Sequence, residues 1–182
     1  MRLHPRLSLA IGLPALLVAC LTAGTLQAQA APHLSDPEIA HVAVTANGID
    51  SAAAKFALTR TTNDQVKAFA NTMITDHTAV NRQAVALATR LHVTPADNAV
   101  SRSLKTGATQ AHANLQRLRG AAFDKAYMDR EIGYHQAVLD AIDNVLIPQS
   151  QNADLKQLLT NVRPAIAAHL AHARELRTSL GA

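Results

Sequence analysis

A chain of 182 residues is long enough for one domain with a buried core. Apolar residues make up 48% of it and aromatic residues only 3%, which favours closely packed helices and argues against a β-sandwich or barrel. The formal net charge is +4, but no basic stripe is interleaved with aromatic side chains, so no nucleic-acid partner is expected.

The first thirty residues have the pattern of a secretory signal peptide. Arg2 and Arg6 give a basic start, an apolar run covers residues 7–21, and Ala28-Gln29-Ala30 offers a small-x-small cleavage site. The apolar run is short for a membrane span, which needs ~20 residues. We therefore predict a leader over residues 1–30, export to the periplasm, and no transmembrane helix in the mature chain. Without the two arginines, 15 of the 17 basic residues remain against 13 acidic ones.

A second pattern overlaps this leader. Leu17-Val18-Ala19-Cys20 resembles the lipobox of bacterial lipoproteins, in which the cysteine carries lipid. Soluble export and attachment to the outer membrane through Cys20 are both open, and an envelope protein is a possible partner in either case. Because Cys20 is the only cysteine, disulfides, thiol catalysis and thiolate metal ligands are excluded from the mature domain.

Four long amphipathic helices are predicted after a short tether at residues 31–35. Apolar residues spaced three and four apart indicate helices over about 36–60, 63–91, 121–147 and 152–180. The connection at residues 92–120 is longer, and its weaker pattern predicts a short extra helix or two, broken around Gly107. The sequence thus predicts an all-α protein, a ferritin-like four-helix bundle over residues 36–182.

The apolar residues also predict which face of each helix is buried. In the first helix the expected core seam is Ile39, Val42, Ala46, Ile49, Ala53 and Phe56. In the third long helix it is Phe123, Tyr127, Tyr134, Val138, Ile142 and Val145, with Glu131 and His135 beside it. The acidic residues of that helix are expected on its exposed face: Asp124, Asp129, Asp140 and Asp143.

Three histidines near the helix midpoints form the candidate site. His77 and His169 lie on core seams and His135 lies beside one, all within about two turns of the same depth. Neutral imidazoles that point inward suit a transition metal such as Fe, Zn, Cu or Ni. Glu131 and His172, each one helical turn from a member of the trio, could complete the ligand set, whereas Asp76 and Glu175 fit less well. The alternative is that each histidine is a core residue that hydrogen-bonds to a carboxylate or carbonyl.

A ferritin-type di-iron centre is not supported. Such a centre needs a Glu from each of two helices and a Glu-x-x-His from each of the other two. The chain has three glutamates, Glu38, Glu131 and Glu175. Glu38 and His41 have the spacing but lie off the seam, in what is expected to be a solvated first turn.

The chain also resembles a family of exported bacterial proteins, domain of unknown function 4142, whose members are often labelled outer membrane proteins and placed among ferritin-like domains. The resemblance rests on Val66-Lys67-Ala68-Phe69-Ala70 followed by Met73-Ile74-x-Asp76-His77-Thr78, then Phe123-Asp124-x-Ala126-Tyr127 with His135, then Pro164 with His169-Leu170. It implies that Asp76-His77, His135 and His169 correspond to the family's Asp-His pair, its histidine of the third helix and its histidine of the last helix. The family commonly carries a Glu after a glycine in the first helix; this chain has only Asp50 near Gly48.

Two hypotheses about function follow. The first is an exported bundle that binds a transition metal or small ligand through its central histidines. The second is a non-catalytic structural or interaction domain of the envelope without metal. A redox or peroxide-handling enzyme is suggested only by analogy of fold, so whether the protein is an enzyme stays open.

Overall fold

The computed structural model describes residues 33–181, and this part of the chain is built from five helices and no strands. The helices are α1 (Asp36–Leu58), α2 (Asp64–Arg90), α3 (Ala99–Gln116), α4 (Gly120–Ala141) and α5 (Ala153–Ser179). A π-helical turn, Ile142–Leu146, and one further turn, Ile147–Gln149, extend α4. The predicted all-α class is confirmed. The predicted leader, with Cys20, lies outside the described residues.

Helices α2, α3 and α5 begin at a side chain that accepts hydrogen bonds from the free N–H groups of the first turn. Asn63 accepts from the backbone N–H groups of Gln65 and Val66, and Asn152 caps α5 in the same way. At α1 the Glu38 carboxylate accepts from the backbone N–H of Ser35, as in a capping box. Glu38 therefore stabilises the first turn of α1, where the sequence predicted a solvated residue.

Helix α1 packs against α2 and α4 packs against α5, and α2 also contacts α5. Helix α3 lies mainly against α1. The prediction for α3 was wrong in detail, because a single 18-residue helix runs unbroken through Gly107. Among the helices between residues 33 and 181, none combines the length and apolar character required to cross a membrane.

The interior contains two apolar regions. The first, the aromatic core, is formed by Phe69, Met73, Phe123, Tyr127, Met128 and their neighbours. The second, the aliphatic core, is formed by residues such as Val42, Leu87, Ile142, Leu159 and Ile166. On each of the four long helices, buried polar residues lie near the boundary between the residues of the two cores. We call them the polar layer: Asn47, Asp50, His77, Glu131, His135 and His169.

His77 and His169 are buried, as their predicted seams require, but the seams predicted for α1 and α4 agree with the buried residues only in part. The buried stripe of α1 runs through Asn47, Asp50, Ser51 and Ala54 instead of Ala46, Ile49 and Ala53. The stripe of α4 includes Glu131 and His135, so His135 lies on the core face and not beside it. Asp124 is also buried, which corrects its predicted exposure. In both helices, polar side chains occupy buried positions, whereas the apolar pattern predicted that neighbouring apolar residues would be buried.

Candidate metal centre

Three of the four long helices bring their central histidines into one cluster. His77 from α2, His135 from α4 and His169 from α5 are 3%, 1% and 6% exposed. Their ring centroids are 5.3–5.7 Å apart, and one ring nitrogen from each lies within 4.8 Å of the others. The trio that the sequence picked out is therefore assembled at one place.

Each imidazole is held by a contact at one of its two nitrogens. Nδ1 of His77 lies 2.6 Å from Oδ1 of Asn47, and Nδ1 of His135 lies 3.0 Å from the Glu131 carbonyl. Nε2 of His169 lies 2.9 Å from Oδ2 of Asp76. Since all three acceptors are oxygens, these ring nitrogens carry the protons. Whenever such a ring is neutral, its opposite nitrogen has a free lone pair.

Those opposite nitrogens are buried and have no hydrogen-bond partner among residues 33–181: His77 Nε2, His135 Nε2 and His169 Nδ1. Oδ2 of Asp50, from α1, is in the same condition. It lies 3.0 Å from His77 Nε2 and 3.9 Å from His135 Nε2. Lone pairs of nitrogen and oxygen at this separation repel each other unless a proton or a metal ion lies between them.

Asp50 is an ionised carboxylate in the protein interior. It is fully buried, and Nη1 of Arg130 contacts its Oδ1 at 2.5 Å. Burial opposes its ionisation, but His77, Arg130 and His135 outweigh that effect and hold the pKa of Asp50 well below its ordinary value. The site thus contains one permanent negative charge paired with one guanidinium.

Glu131 behaves in the opposite way. Its Oε1 contacts Arg130 Nη1 at 2.6 Å and its Oε2 lies 3.4 Å from His135 Nδ1. Burial, and then the adjacent Asp50 charge, raise the pKa of Glu131 well above its ordinary value, despite Arg130. Asp50, Glu131 and His135 together offer a second set of converging ligand atoms, which Glu131 joins when it loses its proton.

Burial favours the neutral form of two of the three histidines, His135 and His169. Burial lowers the pKa of His135 to about 4, although Asp50 and the Glu131 carbonyl act against it. Burial also lowers the pKa of His169, opposed by its hydrogen bond to Asp76. A neutral imidazole is the form that binds a metal ion.

The other proposed ligand, His172, is not part of the cluster. It is exposed on α5, and its ring packs against Phe69 with centroids 5.2 Å apart. Asp76, which the spacing disfavoured, instead supports His169. Glu175 is exposed.

Sequence reasoning missed Asn47 and Arg130, and it gave Asp50 little weight. The guanidinium of Arg130 also stacks on Tyr134, 4.1 Å from the ring centroid, and the Tyr134 hydroxyl donates to the Ala46 carbonyl. A polar stripe at positions 47, 50 and 51, continued by Ala54 and Ala57, is the signal that could have revealed the buried face of α1.

The fold and the site define an all-α protein with a buried cluster of histidines and carboxylates. The chain belongs to the family described as Domain of unknown function (DUF4142), whose model matches residues 21–176. No curated protein and no solved structure matches the chain.

Proposed function

We propose that this is an exported bacterial envelope protein whose ferritin-like four-helix bundle binds one divalent transition-metal ion in its polar layer. The observation that carries the proposal is the arrangement of the three histidines. In each, one ring nitrogen is fixed by an oxygen acceptor while the other is buried without a partner among the described residues. Metal-binding histidines usually have this arrangement, because the outer hydrogen bond sets the tautomer and orients the ring.

The ligands that we assign to this ion are the converging ring nitrogens of His77, His135 and His169, with Asp50 Oδ2 as the fourth ligand. Three imidazoles and one carboxylate suit Zn, Fe, Cu or Ni. The 3.0 Å between His77 Nε2 and Asp50 Oδ2 is compatible with two ligands that each bind one ion at ~2.0–2.2 Å. Arg130 and Glu131 belong to the surroundings of this ion, where Arg130 orients the Asp50 carboxylate.

The bundle assignment is supported by the order and packing of the helices. Short connections join α1 to α2 and α4 to α5, and each of these pairs packs together. The connection between the two pairs, which contains α3, is the long one. This resembles a ferritin-like bundle with one long crossover.

Metal analysis of protein purified without a histidine tag tests the proposal. We expect one transition-metal ion per chain, and restoration of one ion after chelation and titration with Zn²⁺ or Co²⁺. His77→Ala and His169→Ala should each abolish this binding. His172→Ala is the matched control, since it also removes a histidine from the chain, and it should keep the metal.

Circular dichroism must show that the variants remain helical. Asp50→Asn should weaken Zn²⁺ binding while leaving all three imidazoles in place. The metal site is refuted if the wild-type protein neither carries a metal nor binds Zn²⁺ or Co²⁺. It is also refuted if His77→Ala and His172→Ala bind equally well.

The second candidate, a structural or interaction domain without metal, is favoured by one contact. A protonated His77 would place an imidazolium against Asp50, and this ion pair would satisfy both groups. In that case a titration of the metal-free protein by NMR should show the His77 ring doubly protonated near pH 7. A singly protonated ring with an Nδ1–H would contradict it.

Export and anchoring are tested on the protein made in a bacterial host. We expect it in the periplasmic fraction with Ala31 at its N-terminus. An intact mass that contains lipid on Cys20 would instead show the anchored form.

A further inference from the structure

The aliphatic core contains a cavity of about 190 Å³. All five helices contribute to its wall, and the wall is almost entirely apolar. Its lining includes Val42 of α1, Leu87 of α2, Leu104 of α3, Val138 of α4 and Leu159 of α5. An engineered apolar cavity of ~150 Å³ stays dry and binds benzene, so this space is large enough for a ligand.

The cavity follows from the distribution of small and large side chains. Alanines recur at helical spacing on three of the walls, at Ala40, Ala43 and Ala46, at Ala84 and Ala88, and at Ala137 and Ala141. The phenylalanines of the described chain pack in or against the aromatic core instead. Tyr134 is the one aromatic residue in the described wall. The helices meet here through side chains too short to fill the space between them.

The cavity is elongated along the bundle. Its lining runs from Asp36 to Asn47 on α1, which is roughly 16 Å at 1.5 Å per residue. On α5 it runs from Leu155 to Ile166, again roughly 16 Å. A long, narrow, apolar space fits an extended hydrocarbon chain better than a compact polar molecule.

The charges at the wall decide between a neutral and an anionic ligand. Among the described lining residues there is no lysine, arginine or histidine, and Asp36 is the one carboxylate. The backbone N–H groups of Gln151 and Asn152 donate to Asp36. A fatty-acid carboxylate would find no cation in this wall and would meet a negative charge at that end.

We infer that this cavity binds a neutral molecule with a single extended hydrocarbon chain. At its inner end the wall includes Asn47, whose amide oxygen holds His77. The cavity therefore reaches the polar layer. None of the proposed metal ligands lines the cavity, and Asn47 contacts the metal site only through His77. The inference therefore does not depend on the proposed metal.

Displacement of N-phenyl-1-naphthylamine, a neutral fluorescent probe, tests the inference. We expect the purified mature protein to bind the probe, dodecanol to displace it, and dodecanoate to displace it far more weakly. Ala84→Phe places a ring in the cavity and should weaken probe binding by about tenfold or more. Ala79→Phe, at an exposed position of the same helix, is the matched control and should bind normally.

If Ala84→Phe does not fold, Ala43→Leu fills the same space with a smaller side chain. Equal probe binding by a folded cavity-filling variant and by Ala79→Phe would overturn the inference, as would no binding by the wild type. Stronger displacement by dodecanoate would overturn the preference for a neutral chain. His77→Ala should still bind the probe, so loss of the metal and loss of the cavity are separate results.

Discussion

Replacement of Asp50 by Asn should strongly destabilise the metal-free protein. Asp50 is fully buried and contacts Arg130 at 2.5 Å and His77 at 3.0 Å. Removal of one partner from a buried ion pair leaves the other charge uncompensated and costs roughly 3–5 kcal/mol. Here Glu131 stays in contact with Arg130 at 2.6 Å and can ionise once Asp50 no longer raises its pKa. The free energy of unfolding should therefore fall by about 3 kcal/mol, the low end of that range.

Urea unfolding followed by circular dichroism measures this change. With an m value of ~1–3 kcal/mol/M, the midpoint should fall by roughly 1–3 M. Every sample contains a chelator, so that differences in bound metal do not contribute to the measured midpoints. Asp143→Asn is the control: its carboxylate contacts Arg163 at 2.6 Å, but both side chains are exposed, so the expected loss is only ~0–1 kcal/mol.

A midpoint shift for Asp50→Asn no larger than that for Asp143→Asn would refute this reasoning. The double variant Asp50→Asn/Arg130→Met gives a further check. If the cost comes from an uncompensated guanidinium, the double variant should be less destabilised than the sum of the single variants. Additive losses would show that the two residues do not act as a pair.

Two further predictions concern packing and backbone. Met73→Ala, in the aromatic core at 0% exposure, should lower the free energy of unfolding by ~2–5 kcal/mol in the same urea assay; a loss below ~1 kcal/mol would mean that the core closes around the space. Gly107→Ala should raise stability by ~0.5–1 kcal/mol, since it lies inside α3 with open space around it. Gly120→Ala should lower it, because the φ of Gly120 is +55°; stabilisation by both would contradict the backbone argument.

The sequence predicted the helices better than their buried faces. Periodicity located all four long helices, and in α2 and α5 the buried stripe is apolar apart from His77 and His169. In α1 the stripe passes through Asn47 and Asp50, so the apolar residues beside it form a more convincing seam than the true one. An interior ion pair is a property of two helices together, and the pattern of either helix alone cannot express it.

The same difficulty explains which part of the site was found. Three histidines at one depth, on three helices, form a pattern without any knowledge of packing. Asp50 is one of several aspartates and Arg130 one of many basic residues, so neither is distinctive in sequence. Only the folded structure, in which α1 meets both α2 and α4, shows that Asp50 contacts His77 and Arg130.

The polar layer is difficult to explain as a device for stability. A buried ion pair is often no more stable than a well-packed apolar replacement of similar volume, because both charges lose their hydration. Here that cost is combined with four ligand atoms that have no hydrogen-bond partner within residues 33–181, which adds a further penalty. A fold stabilised on both sides by apolar cores would be more stable without these groups. The cost is accounted for if a cation binds to the four atoms, since its coordination replaces the missing hydrogen bonds and uses the Asp50 charge. The result expected for Zn²⁺ is therefore a higher midpoint of unfolding for the wild type, and no change for His77→Ala.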